Sequence, residues 1–135
     1  MPVDHSHALQ VAIVSAVSAD TDLHQLITGR IYDYVPAGPT YPFCRIGPMR
    51  AVPFEGDCIN GSEVRFTLHG FTKEYGRAVA SAIAAAIVTL FGSTTLSLGN
   101  GIWADIQADS WTVTEDTGEK GAWHASVNLT ATATD

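Results

Sequence analysis

Leu9, Ala12, Ile13, Ala16 and Val17 recur at the i, i+3, i+4 spacing of one buried stripe, which predicts a first helix over residues 5–19. Asp4 or Ser6 stands where its cap belongs. Leu23, Leu26 and Ile27 mark a second, short helix over 20–27, and Gly29 supplies the stop expected just past its end. The chain then turns β-rich. Residues 30–35 read as a short strand, and 36–42, punctuated by Pro36, Pro39 and Pro42, exclude both helix and central strand. A second strand follows at 43–47. Residues 48–61 hold Pro48, Pro53, Gly56 and Gly61 and read as a long loop, of a length that in compact domains is often functional.

Residues 62–71 alternate cleanly, with Val64, Phe66 and Leu68 on one side and Arg65, Thr67 and His69 on the other, as a half-buried antiparallel strand does. Thr72 is placed to cap a central helix over 73–91, whose stripe is Tyr75, Val79, Ala82, Ile83, Ala86, Ile87 and Leu90. Ala78, Ala80, Ala84 and Ala85 lie between these positions and allow a close approach to a sheet or another helix, and Gly92 ends the run. A short β segment at 95–98 leads through Gly99-Asn100-Gly101 into a strand at 102–114. Residues 122–132 pair back across 115–121 as a long hairpin. In that last strand Trp123, Ala125, Val127, Leu129 and Ala131 alternate with His124, Ser126, Asn128 and Thr130. No internal repeat interrupts the chain.

A length of 135 residues fits a single domain spanning 1–135 around one core. Hydrophobic residues make up 46% and charged ones 16%, which excludes wholesale disorder. A charged share below the roughly 25% of ordinary soluble domains hints that other protein covers part of the surface. The net charge of -7 argues against wrapping nucleic-acid phosphates. The first residues carry no basic segment before an apolar run, so no secretory signal is expected and synthesis in a cytoplasm is. The apolar run at 78–91 falls short of the roughly 20 residues that span a bilayer, and no membrane passage is expected. Cys44 and Cys58 lack the short spacing of a zinc or redox motif and read as ordinary thiols in or near the core.

Catalytic signatures are missing from the sequence: there is no Gly-Xaa-Ser-Xaa-Gly elbow, phosphate-binding loop, dinucleotide glycine fingerprint or His-Glu-Xaa-Xaa-His. Neither enzymatic activity nor a cofactor or metal is expected. His5 and His7 read as a solvated helix start. His69 and His124 become neighbours if their strands pair, and with an Asp nearby they are the one acid–base or metal candidate; cross-strand polar pairing explains them equally well. Asp105 and Asp109 share a strand face with Trp103 and Gln107, while Glu115, Asp116 and Glu119 crowd the hairpin turn. These carboxylates read as solvated, because a paired-carboxylate site needs convergence from separate elements. Trp103, Trp111 and Trp123 all lie on the last hairpin without basic neighbours, which favours core filling or a protein interface over base stacking.

Gly29-Arg30-Ile31-Tyr32-Asp33, followed by Pro36 and by Tyr41-Pro42-Phe43-Cys44-Arg45-Ile46-Gly47, comes after a helix opening Leu9-Gln10-Val11-Ala12-Ile13-Val14. With the strand at 63–71, the helix at 75–90 and the closing strand at 123–129, this order resembles the tail-completion proteins of long-tailed phages and gene transfer agents, often called tail terminators. The resemblance covers nearly the whole chain, and its motifs shape the fold rather than carry chemistry. It implies an α+β fold with an antiparallel sheet flanked by helices. Joined to the elements above, the expected architecture is an antiparallel or mixed sheet of about four to five strands, two main helices packed on it and a long C-terminal β-hairpin.

The resemblance further implies a structural virion protein. It would form a homohexameric ring on the head-proximal end of the tail tube, with the major tail tube protein and a neck, stopper or adaptor protein as partners and DNA only in transit through the lumen. Such a ring uses two different surfaces of each subunit. The candidates are Pro48, Met49, Arg50, Val52, Pro53 and Phe54 in the Pro-rich stretch, and Glu115, Asp116, Thr117, Gly118, Glu119 and Lys120 at the hairpin tip. Both could instead be plain solvent loops. The competing functions are another neck component, a stopper or an adaptor, and a small ligand-binding or enzymatic α+β domain using His69 and His124.

Overall fold

The structure, a computed structural model, describes residues 5–53, 61–73, 77–116, 118 and 121–134. Among these residues three helices and seven strands follow in the order α1 (Ser6–Ala19), α2 (Thr21–Ile27), β1 (Ile31–Tyr32), β2 (Phe43–Ile46), β3 (Arg50–Pro53), β4 (Gly61–Thr72), α3 (Ala78–Phe91), β5 (Ser93–Gly99), β6 (Ile102–Glu115) and β7 (Trp123–Thr134). The sheet runs β1-β2-β4-β7-β6-β5, with β3 also beside β4. Among the described strands only β1 and β2 pair in parallel, so the α+β fold carries a mixed sheet with more strands than the periodicity suggests.

α1 buries Leu9, Ile13 and Val17. It has no side-chain cap: His5 occupies the cap position, Ser6 is already helical, and Asp4 lies outside the described residues. His5 is itself buried, not solvated, and its carbonyl accepts the first helical bond from Leu9. α2 is capped by Asp20, whose Oδ2 accepts from the Leu23 N–H at 3.0 Å, and it ends where Thr28 and Gly29 both take positive φ. The strand expected over 30–35 shrinks to Ile31 and Tyr32, because Asp33 turns the chain: its Oδ1 accepts from the Tyr34 N–H and its Oδ2 from Gln10 Nε2.

The stretch 48–61, read from sequence as a loop, contains β3, which pairs Arg50, Ala51, Val52 and Pro53 with Arg65, Val64, Glu63 and Ser62. The proline that argued against a strand ends an edge strand, where a missing N–H costs little. Thr72 does not cap the central helix. It is the last residue of β4, pairs with Trp123 and is buried, its hydroxyl without a hydrogen-bond partner among the described residues. α3 starts only at Ala78, and its buried face is Ala80, Ile83, Ala84, Ile87 and Phe91, rotated from the predicted stripe. Val79, Ala82, Ala86 and Leu90 flank it half-buried, and Tyr75 lies outside the described residues. An alanine-rich helix that is apolar most of the way round leaves its phase weakly written.

α3 lies against β4, β6 and β7, α2 rests on α3, and α1 touches both β1 and β5, so the sheet curls around its helices. The inner rows are Val64 with Ala131, Phe66 with Leu129, Leu68 with Val127 and Gly70 with Ala125. Cys44 sits in this core as a free thiol, pushed up to about 12 by burial; Cys58 lies outside the described residues. No helix among the described residues is long and apolar enough to cross a membrane.

Candidate functional site

The outer face of the sheet carries the polar half of each alternating strand. Phe43, Phe71 and His124 stand side by side on β2, β4 and β7, and their rings stack, with centroids 5.1 Å apart for Phe43 and Phe71 and 4.5 Å for Phe71 and His124. Tyr32 and Tyr41 lean on Phe43, which is consequently buried although it faces outward. Arg30 holds the adjoining loop by donating to the carbonyls of Pro42 at 2.9 Å and Tyr41 at 3.3 Å. The structure thus covers this end of the outer face with aromatic rings.

His69 and His124 do meet. His69 Nδ1 lies 2.7 Å from His124 Nε2, and Ser126 Oγ lies 3.2 Å from the same His124 nitrogen. Burial first, then the nearby His124 and Arg45, lowers the His69 pKa to about 4. Burial also lowers that of His124, partly countered by the Asp116 carboxylate. Two neutral rings sharing one hydrogen bond are what this arrangement supports near neutral pH. Among the described residues no group of three or more His, Cys, Asp or Glu is placed to hold a metal, so the pair has no third ligand.

Further along the same face, Thr67 Oγ1 donates to Asn128 Oδ1 at 2.8 Å and Asn128 Nδ2 donates to Ser110 Oγ at 2.9 Å. Asp109 accepts from Thr130 Oγ1 and Gln107 Nε2, and Asp105 accepts from Thr95 Oγ1 at 2.7 Å. These carboxylates are exposed, and on that exposed face they are tied to hydroxyls and an amide. Asp109 also marks a β-bulge: Ala108 pairs with Leu129 and Ser110 with Asn128, leaving Asp109 as the extra residue. The bulge reverses the alternation, so Trp103 faces outward while Trp111 pairs with Val127 on the helix side. Both remain about half exposed, at 51% and 54%. Trp123 packs against the core under the Arg77 guanidinium, 5.6 Å from its ring.

The two sets of candidate contact residues fall at diagonally opposed corners of the sheet. Pro48, Arg50 and Val52 are exposed at the β3 edge, beside the start of β4, and Met49 packs against the core. Pro53 ends β3, and Phe54 lies outside the described residues. Glu115 ends β6 opposite Trp123, and Asp116 accepts from the Gly118 N–H at 3.0 Å. Thr117, Glu119 and Lys120 lie outside the described residues. Of these residues Asp116 comes near the histidine pair, where its carboxylate acts on His124.

Tail completion protein gp17 is the family whose sequence pattern this chain matches, over residues 11–134. The chain belongs to that family. A chain from the virion of a native gene transfer agent particle has the same fold, with a TM-score of 0.83 at 24% sequence identity over 96% of this chain and 97% of that one. None of the curated proteins matches. The sequence offers both sheet ends as candidates and Trp111 as core or interface, but not the face that Trp111 takes, because the bulge that turns it toward the helices has no periodic signature.

Proposed function

We propose that the chain is a structural tail protein whose copies close into a six-membered ring on the head-proximal end of a tail tube and join it to the neck. The observation that carries this reading is the family match across 11–134, on a fold that a gene transfer agent virion chain shares nearly end to end. The chemistry of the chain agrees with such a role. Six copies at -7 each bring about -42 charges to the ring, and a wall poor in cations releases few counterions to passing DNA and does not grip it. The head-to-tail contacts of a ring need two unlike surfaces on one subunit, and the β3 edge and the β6–β7 end are unlike in charge and shape. DNA, on this reading, is cargo in transit, and the tube and neck proteins are the lasting partners.

The test is the native mass of the purified protein over a wide concentration range, with and without a major tail tube protein from the same particle. A species near six times 14.3 kDa, about 86 kDa, promoted by tube protein, is the expected result. A closed two-fold dimer indifferent to concentration and to tube protein would overturn the ring.

A further inference from the structure

His69 and His124 meet head-on across β4 and β7. Their ring centroids are 4.9 Å apart and the facing nitrogens, His69 Nδ1 and His124 Nε2, are 2.7 Å apart, so both nitrogens lie near the line that joins the rings. That is the geometry of a single N–H···N bridge, in which one ring donates and the other accepts.

Such a bridge distinguishes a first added proton from a second. With one, the charged ring donates through its facing nitrogen while the neutral ring still accepts, which strengthens the hydrogen bond. With two, both facing nitrogens carry hydrogen and the bridge is lost. The pair therefore takes up protons in two separate steps.

The surroundings choose which ring is charged first. His69 stands opposite Arg45 of β2, whose charge opposes a proton there, and Gly47 beside it brings no charge. His124 lies between Phe71 of β4 and Thr114 of β6, with Ser126 Oγ 3.2 Å from its Nε2. Two residues beyond Thr114, the Asp116 carboxylate acts on His124 and favours its charged form. Lys73, just past β4, lies over the Tyr41 ring at 5.8 Å, and the phenols of Tyr32 and Tyr41 stay neutral at any acidic pH. Asp116 also starts the hairpin turn: its N–H donates to the Ala122 carbonyl at 2.9 Å and its Oδ1 accepts from the Gly118 N–H at 3.0 Å.

We infer that His69 and His124 form a single-proton clamp on the hairpin end: on mild acidification His124 takes one proton, keeps His69 as its acceptor, and holds Asp116 against the outer face by its charge. The second step belongs to His69, which burial, His124 and Arg45 hold down to about 4. There the bridge breaks and the clamp opens. The hairpin end is thus fastened most firmly between the two steps.

NMR of the two imidazoles, followed from about pH 8 down to about pH 4, tests it. His124 should charge first, with His69 still neutral while it does. Asp116→Asn should lower the His124 midpoint by roughly half a pH unit. In the wild type the amide of residue 116 should gain protection from hydrogen exchange, relative to its intrinsic rate, as His124 charges; in Asp116→Asn it should not. Rings that charge together, His69 charging first, or a midpoint or a protection that Asp116→Asn leaves unmoved would each overturn the clamp.

Discussion

Gly70 on β4 lies directly under Ile83 of α3: a Cβ at Gly70 would stand 2.6 Å from Ile83 Cγ2. That separation sets how closely the central helix approaches the sheet. Gly70→Ala should therefore destabilise the subunit by about 1–3 kcal/mol, measured by urea denaturation. Adding Ile83→Leu, which removes the β-methyl, should recover part of the loss. Equal destabilisation with and without that change would mean that the strain lies elsewhere.

The histidine pair makes stability depend on pH. His69 is pushed down to about 4 from an ordinary value near 6.5, so the unfolded chain binds the proton more readily in that window. Its contribution is fully present above about 6.5 and is lost as pH falls toward 4. Replacing His69 and His124 by Gln should flatten the fall of melting temperature between those values relative to the wild type. A wild-type slope unchanged in the variant would remove the pair as its source.

Asp20 supplies the one side-chain cap seen among the described helices. Asp20→Ala leaves the Leu23 N–H without its partner and should cost about 1 kcal/mol, read as a melting temperature lower by about 4 °C. Asp20→Asn, which keeps an acceptor, should cost much less.

Replacing residues 115–121 by a two-residue turn should preserve the fold, since it removes only the terminal Glu115–Trp123 pair of the β6–β7 ladder, which runs on from Thr114 and His124. Electron microscopy of particles made with the shortened protein should show tails that fail to attach to heads. Attached tails of normal length would exclude the hairpin end from the interface.

Where one face of a strand is buried and the other wet, the sequence spells it out. β4 and β7 were legible for that reason, and with them the meeting of His69 and His124. β3 was hidden because Pro48 and Pro53 mimic a loop, and a four-residue edge strand has too few alternations to oppose that impression. The phase of α3 was blurred by alanines that can sit on either side of a stripe. The face that Trp111 takes was beyond reach for a different reason: one extra residue at Asp109 swaps inside for outside from there on, and nothing in the hydrophobic pattern announces it. The two sheet ends could be named as candidates, but their places at opposite corners of the sheet became visible only once the strand order was known.

The β3 edge and the β6–β7 end lie at diagonally opposed corners of one subunit, so the subunit has no two-fold likeness between its ends. In a ring of the proposed kind every subunit would point the same way, and the ring would be a washer with two unlike sides. It would seat on a tube one way up, and the side left facing outward would be a surface that the tube itself does not offer, so that the stopping of growth and the recruitment of the next component would be one event.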